Sequence, residues 1–247
     1  MQACALTDIG LRRQVNQDYI FESVEPVGAF PNLFILADGM GGHKAGDFAS
    51  KYLVETMVGY ISRTTDAQVV TALNSALKLS NTMIYHKSQE VPELNGMGST
   101  MVAAVIEGDI LTVANVGDSR LYLIRDGITQ VTKDHSYVEE LVDRGELVRG
   151  SADYVMKKNI ITRAVGSDER VEADYFEVDL IAGDYILLCS DGLTNMVDDD
   201  TIFSIISGNG SLSYKARTLV MTANENGGND NIAVILVKYT EGGEDHA

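Results

Sequence analysis

The chain has 247 residues, 45% hydrophobic and 22% charged, which is the composition of an ordinary globular protein and not of a disordered one. At this length a core hides roughly 70–75% of the unfolded surface without disulfide or metal staples. Lys and Arg number 19 against 36 Asp and Glu, giving a net charge of −17. That charge repels nucleic acid and anionic membrane surfaces alike, and an anionic substrate would need cations to invert the local field.

Strand patterns open the chain at residues 3–7, 19–24 and 33–37. Two amphipathic helices follow: Ala49, Leu53, Met57 and Ile61 form one apolar stripe, and Val69, Leu73, Leu77, Ser80 and Ile84 a second, with Asp66 read as the N-cap. A long β region comes next, at 99–106, 110–114, 119–124 and 129–132, broken by Glu107-Gly108-Asp109 and by the hairpin signal Asp126-Gly127. From 136 to 158 the pattern turns polar, with one short amphipathic piece at 137–141. Strands resume at 171–178 and 185–189, two helices follow at 201–206 and 214–223, and a last apolar strand runs 232–239. Strand blocks alternating with helix pairs predict an α+β fold, mostly antiparallel sheets with helices segregated to the outer faces. One domain over 1–240 is expected, with a disordered tail at 241–247.

The longest apolar runs, such as 101–106 and 232–237, are too short to span a bilayer. The N-terminal MQACALTDIGLRRQ has no apolar signal core, so a cytoplasmic location is expected, with Cys4 and Cys189 as reduced, buried thiols.

Several chemistries are eliminated by what is missing. There is no G-x-x-x-x-G-K-[ST] loop, no G-x-S-x-G elbow and no H-E-x-x-H pair. Four His and two Cys leave little for a structural zinc site. Cys189 is followed by Ser-Asp-Gly-Leu-Thr-Asn, without the arginine that a thiol phosphatase needs to clamp phosphate. Asp198-Asp199-Asp200 reads as an N-cap with first-turn acids.

What remains is a set of aspartates at the ends of apolar strands. Asp18 opens the second strand, Asp38 ends the third, Asp118 lies between two strands, Asp191 follows Leu187-Leu188-Cys189-Ser190, and Asp230 precedes the last strand. Any one of them alone reads as an Asx-turn residue. Together, beside small residues that let backbone approach, they are a way of gathering carboxylates in one cleft. Such a cluster repels itself unless hard cations bridge it, and oxygen-only ligands favour Mg²⁺ or Mn²⁺, often as a pair about 3.5–4 Å apart in hydrolytic sites.

The motifs Arg13-x-x-Asn16-Gln17-Asp18, Ala37-Asp38-Gly39-Met40-Gly41-Gly42-His43, Gly98-Ser99-Thr100, Gly117-Asp118-Ser119-Arg120, Asp134-His135-Ser136, Ser190-Asp191-Gly192 and Gly228-Asn229-Asp230-Asn231 occur in this order. The set resembles the metal-dependent protein serine/threonine phosphatases, the protein phosphatase type 2C family, in their bacterial form, from Thr7 to Tyr239. The resemblance implies a four-layer α-β-β-α sandwich with two core ions, Mn²⁺ or Mg²⁺, at one end of the sheets and a third beside them. It implies that Asp38 bridges the core ions, that the Gly39 carbonyl binds one of them, and that Asp191 and Asp230 hold the other. Asp18 would act through bound water, Asp118 with Asp191 would hold the third ion, and Arg13 would clamp phosphate. Water activated between the ions would attack phosphorus in line, with no protein nucleophile.

Two positions depart from the family pattern. Gln17 stands where many relatives carry an acid, and Met40 stands where eukaryotic relatives place a proposed general-acid histidine. His43, three residues on, is the remaining candidate acid, whereas His135 is expected to orient backbone. The expected substrates are phosphoserine and phosphothreonine proteins, a serine/threonine kinase among them, acted on by a monomer. The rival reading is a non-catalytic phosphoprotein-binding or regulatory module of the same fold. The segment 136–158 is expected to form a mobile flap beside the cleft.

Overall fold

Period-two apolar patterning becomes two antiparallel sheets laid face to face in the computed structural model of the protein, which describes residues 1–42 and 45–240. The strands β1 (Gln2–Asp8), β2 (Asp18–Ser23) and β3 (Leu33–Met40) lead into the helices α1 (Ala45–Ile61) and α2 (Val69–Glu90). A 3-10 turn at Pro92–Leu94 precedes β4 (Gly98–Ser99), β5 (Met101–Glu107), β6 (Ile110–Val116), β7 (Arg120–Ile124) and β8 (Ile128–Gln130). Two short helices, α3 (Tyr137–Asp143) and α4 (Ala152–Lys157), come before β9 (Asp174–Asp179) and β10 (Tyr185–Cys189). Then α5 (Asp191–Thr194), α6 (Asp199–Ser207) and α7 (Leu212–Glu225) lead to β11 (Ile232–Lys238). One sheet has the order β2-β3-β5-β6-β9, with β4 paired to β3; the other runs β1-β11-β10-β7-β8.

The alternation along the central strands explains the layers. In β3, Phe34 and Leu36 point into the space between the sheets, with Val102, Ala104, Val113, Leu188 and Ile235. Leu33, Ile35 and Ala37 point the other way, onto the predicted stripes of α1 and α2. In β11, Ala233, Ile235 and Val237 face the first sheet, while Ile232, Val234 and Leu236 pack against α6 and α7. The result is the expected α-β-β-α sandwich.

Differences from expectation concern local hydrogen bonding. Gln68, not Asp66, is the α2 N-cap; Asp66 accepts the Gln68 amide at 2.9 Å and shapes the preceding turn. The strand expected at 171–178 begins only at Asp174. The polar segment 136–158 holds α3 and α4, capped by Ser136 and Ser151. As expected, Asp198 caps α6, accepting the Thr201 amide at 2.7 Å. The tail expected at 241–247 lies outside the described residues.

Buried Asn32 precedes β3 and stands in for a missing strand partner: its Nδ2 donates to the Ile106 carbonyl at 2.6 Å and its Oδ1 accepts the Ile106 amide at 2.8 Å. Asn32→Ala leaves both backbone groups without partners, a cost of about 2–3 kcal/mol. For a chain of this size the melting midpoint should fall by roughly 5–10 °C. Thermal unfolding followed by circular dichroism checks this, and an unchanged midpoint would contradict it.

Candidate metal centre

Five aspartates meet at one end of the two sheets because four strands and one connection deliver them there. Asp18 and Asp38 stand directly opposite each other in the β2–β3 register. Asp191 is the first residue of α5, immediately beyond β10, and Asp230 lies two residues before β11. Asp118 sits in the link from β6, in one sheet, to β7, in the other.

Small polar side chains hold this arrangement. The Asp38 amide donates to Thr100 Oγ1 at 2.9 Å, while the Asp38 carbonyl accepts from the Thr100 amide at 2.8 Å and from Ser99 Oγ at 3.0 Å. Ser190 Oγ donates to Asp18 Oδ2 at 2.7 Å and accepts the Ala233 amide at 2.9 Å, tying β2 to the other sheet. Buried Asn231 accepts the Gln17 amide at 2.8 Å and donates to the carbonyls of Ile9 and Val15, which fixes the loop carrying Arg13. Thr100, Ser190 and Asn231 all lie inside the motifs quoted above, yet nothing in their residue type separated them from ordinary turn residues.

Gly39 is required by close approach. A Cβ there would stand 2.0 Å from the Gly46 carbonyl oxygen and 2.8 Å from that of Gln17. This contact seats the first turn of α1 against the end of β3. Gln17, at the position where an acid is common, donates no carboxylate; its side-chain amide lies against Gly46 instead.

The electrostatics are those of crowded anions. Burial pushes the Asp18 carboxyl up to about 8, with repulsion from Asp191 and Asp230 adding to it and the Ser190 hydroxyl opposing it. Burial likewise lifts Asp118 to about 8, with Asp191 and Asp134 contributing. Asp38 is raised well above the carboxylate range by burial and then by Asp18, Asp191, Asp118 and Asp230; Asp191 is raised by burial and by Asp230. Asp18 Oδ1, Asp118 Oδ1 and Asp191 Oδ1 are buried and have no hydrogen-bond partner among the described residues. Among the described residues only Asp230 of the five has an ion pair, with Arg13 Nη2 at 2.7 Å.

Unpartnered, acceptor-only oxygens in an anionic cleft are a donor set that suits hard divalent cations. Among the described residues no three acidic, imidazole or thiol groups already converge on one point, so bound ions would have to draw the carboxylates together. Arg13 stands half-exposed, as a phosphate clamp requires, but its guanidinium rests on Asp230. His43, the candidate acid, lies outside the described residues.

The sequence profile described as Protein phosphatase 2C matches residues 11–236. The chain belongs to the protein phosphatase 2C family. It is 40% identical over 254 residues to the serine/threonine phosphatase stp of Listeria monocytogenes serotype 4b, covering 99% of each chain. The structure of the S. agalactiae serine/threonine phosphatase superposes with a TM-score of 0.89 at 38% identity, covering 97% of this chain and 99% of that one. The catalytic domain of the phosphatase PstP, solved with two manganese ions, gives a TM-score of 0.85 at 32% identity over 97% of this chain and 98% of that one. The protein is therefore a protein serine/threonine phosphatase, of a metal-dependent family.

The raised carboxyls make a signed prediction for the phosphatase. Where the folded-state pKa exceeds the unfolded value, the folded state keeps protons that the unfolded chain has released, so stability falls as pH rises through that window. For Asp18 the window runs from about pH 4 to about pH 8. In urea titrations with EDTA present, Asp18→Asn should therefore gain stability relative to the parent as pH rises from 4 to 8. A difference that stays flat with pH would contradict this electrostatic reading.

Proposed function

We propose that the five aspartates hold the catalytic divalent ions, Mn²⁺ or Mg²⁺, and that the reaction is hydrolysis of phosphoserine and phosphothreonine in proteins. In this reading Asp38 would serve both core ions, the Gly39 carbonyl would join it on one of them, and Asp191 and Asp230 would hold the other. Asp18 would act through water, and Asp118 with Asp191 would take a third ion. The observation that carries the reading is the set of buried oxygens on Asp18, Asp118 and Asp191 that have no hydrogen-bond partner among the described residues. Ions bound there supply Lewis acidity, which acidifies water toward neutral pH and offsets charge on a phosphate.

The chain's own groups do the rest. The planar Arg13 guanidinium is suited to two phosphate oxygens at once. To reach a phosphate it would leave Asp230, whose carboxylate would then be available to an ion. Cys189 is no nucleophile, because burial pushes its thiol up to about 12. His43 stays a candidate for protonating the leaving oxygen. Phosphoproteins, a serine/threonine kinase among them, would be the substrates of a monomer acting in the cytoplasm; the motif resemblance supports this.

Hydrolysis of p-nitrophenyl phosphate with EDTA and then with Mn²⁺ separates the enzyme from a binding-only module. Turnover should vanish in EDTA and return with Mn²⁺. Asp38→Asn should lower turnover roughly 100-fold or more, since a neutral amide cannot bridge two cations. Turnover insensitive to EDTA, or Asp38→Asn with parental activity, would overturn the assignment.

The segment 136–158 would select substrates as a flap on the single domain over 1–240. Glu139, buried, accepts from Arg149 and from the Tyr154 hydroxyl at 2.5 Å, so α3, the following loop and α4 are tied at one point. Val148 and Met156 are 76% and 78% exposed, and Val155 is exposed in the same segment, so the flap offers apolar side chains to a protein substrate. Exchange of 136–158 for the segment of a relative should change preference among phosphopeptides and spare p-nitrophenyl phosphate hydrolysis. Equal loss on both substrates would rule out the selective role.

A further inference from the structure

Asp118 presents a problem of aim. It is buried, its Oδ1 has no hydrogen-bond partner among the described residues, and it lies in a turn and not in a strand ladder. Among the described residues no hydrogen bond from a neighbour fixes the direction of that oxygen, so the backbone of the turn has the larger part in setting it. The residue before it, Gly117, has φ +102, and a Cβ there would meet Thr100 Cγ2 at 2.6 Å, so the turn is pressed against the residue that holds Asp38.

On its other side the turn is closed by one residue. The Gly117 amide donates to His135 Nδ1 at 3.0 Å, and the His135 amide donates to the Gly117 carbonyl at 2.9 Å. These two bonds grip the peptide groups on both sides of the Gly117 α-carbon. Asn115 Nδ2 adds a longer bond of 3.4 Å to the same carbonyl. His135 is itself buried, and its carbonyl accepts the Thr162 amide at 2.9 Å. Its Nε2 stands 3.2 Å from Asp174 Oδ2, off the line of a straight hydrogen bond, and Arg163 Nη1 holds the other Asp174 oxygen at 2.8 Å. Because Nδ1 receives an amide proton it carries none of its own, and the ring proton sits on Nε2, facing Asp174.

We infer that His135 is a positioning residue for the phosphatase reaction: its bare Nδ1 locks the Gly117-Asp118 turn and so aims the Asp118 carboxylate at the ion it is to hold. The inference rests on the reading of Asp118 as a ligand of a third ion. It assigns the Asp-His-Ser motif a task that neither strand pairing nor the flap accounts for. Partners that orient metal ligands commonly change ion affinity by about 10–100-fold when removed.

The two amide replacements of histidine separate this role from simple packing. Asn places an acceptor oxygen near the position of Nδ1, whereas Gln reaches only the outer position, near Nε2. His135→Asn should keep the ion that Asp118→Ala loses, and His135→Gln should bind it at least about 10-fold more weakly, both counted by Mn²⁺ calorimetry on the full chain. In the ion-free protein, hydrogen exchange at the Gly117 amide should quicken in His135→Gln and stay slow in His135→Asn. Nitrogen NMR of the parent should find the ring proton on Nε2. Equal Mn²⁺ binding and equal Gly117 exchange in the Gln and Asn variants, or a proton on Nδ1, would overturn the inference. If the parent binds no more Mn²⁺ than Asp118→Ala, the reading of Asp118 as a ligand falls and the inference falls with it. That outcome is distinct from a parent that binds the extra ion and a Gln variant that matches it.

Discussion

Repulsion among carboxylates is the constraint on which this structure turns. The β2–β3 register sets Asp18 against Asp38, and two elements of the other sheet add Asp191 and Asp230. Left to themselves these groups would separate or take up protons. The protein holds them in place chiefly with neutral pins: Thr100 holds the Asp38 backbone, Ser190 holds the Asp18 carboxylate, and Asn231 holds the loop before it. Lysines or arginines in those places would satisfy the aspartates permanently and leave nothing to bind a cation. The cohesion that tolerates the cluster comes from elsewhere, from three apolar layers filled by alternating residues of β3, β5, β10 and β11.

Arg13 pairs with one of the five aspartates, and its pairing with Asp230 suits a group with two tasks. A half-exposed guanidinium on a half-exposed carboxylate is a weak attachment in water. It keeps the arm of residues 9–17 near the cleft while leaving the guanidinium free to exchange one anion for another.

Much of the fold was legible because it rests on patterns with a fixed period. The stripes of α1 and α2, the unbroken apolar runs of β5 and β11, and the turns at Gly108 and Gly127 all follow from residue type and spacing. Three things were not legible, for one physical reason. The short helix α5 and the helices at 137–143 and 152–157, of which only an amphipathic piece at 137–141 showed, are too short for a period to establish itself; they, like α2 with its cap at Gln68, begin at serine, aspartate or glutamine residues that suit a turn equally well. The same holds in the site. Aspartates at strand ends announce themselves, since charge at the close of an apolar run needs explaining. Thr100, Ser190 and Asn231 do not, since a threonine, serine or asparagine in a turn has many ordinary uses. The acids carry the chemistry visibly; the residues that aim them are recognisable only once the strands are in register.

The link from β6 to β7 is where the chain leaves one sheet and enters the other, and Asp118 lies on that crossing. Asp18 and Asp38 belong to one sheet, Asp191 and Asp230 to the end of its neighbour. The cleft is thus a seam, and the distance across it is set by the side chains that fill the space between the sheets, Phe34 and Leu36 on one side, Leu188 and Ile235 on the other. Interior volume and the spacing of the anions are in this sense a single mechanical variable. A methyl group lost or gained deep between the sheets is transmitted to the mouth as a change in how far apart the ligands stand, without any residue of the site being touched.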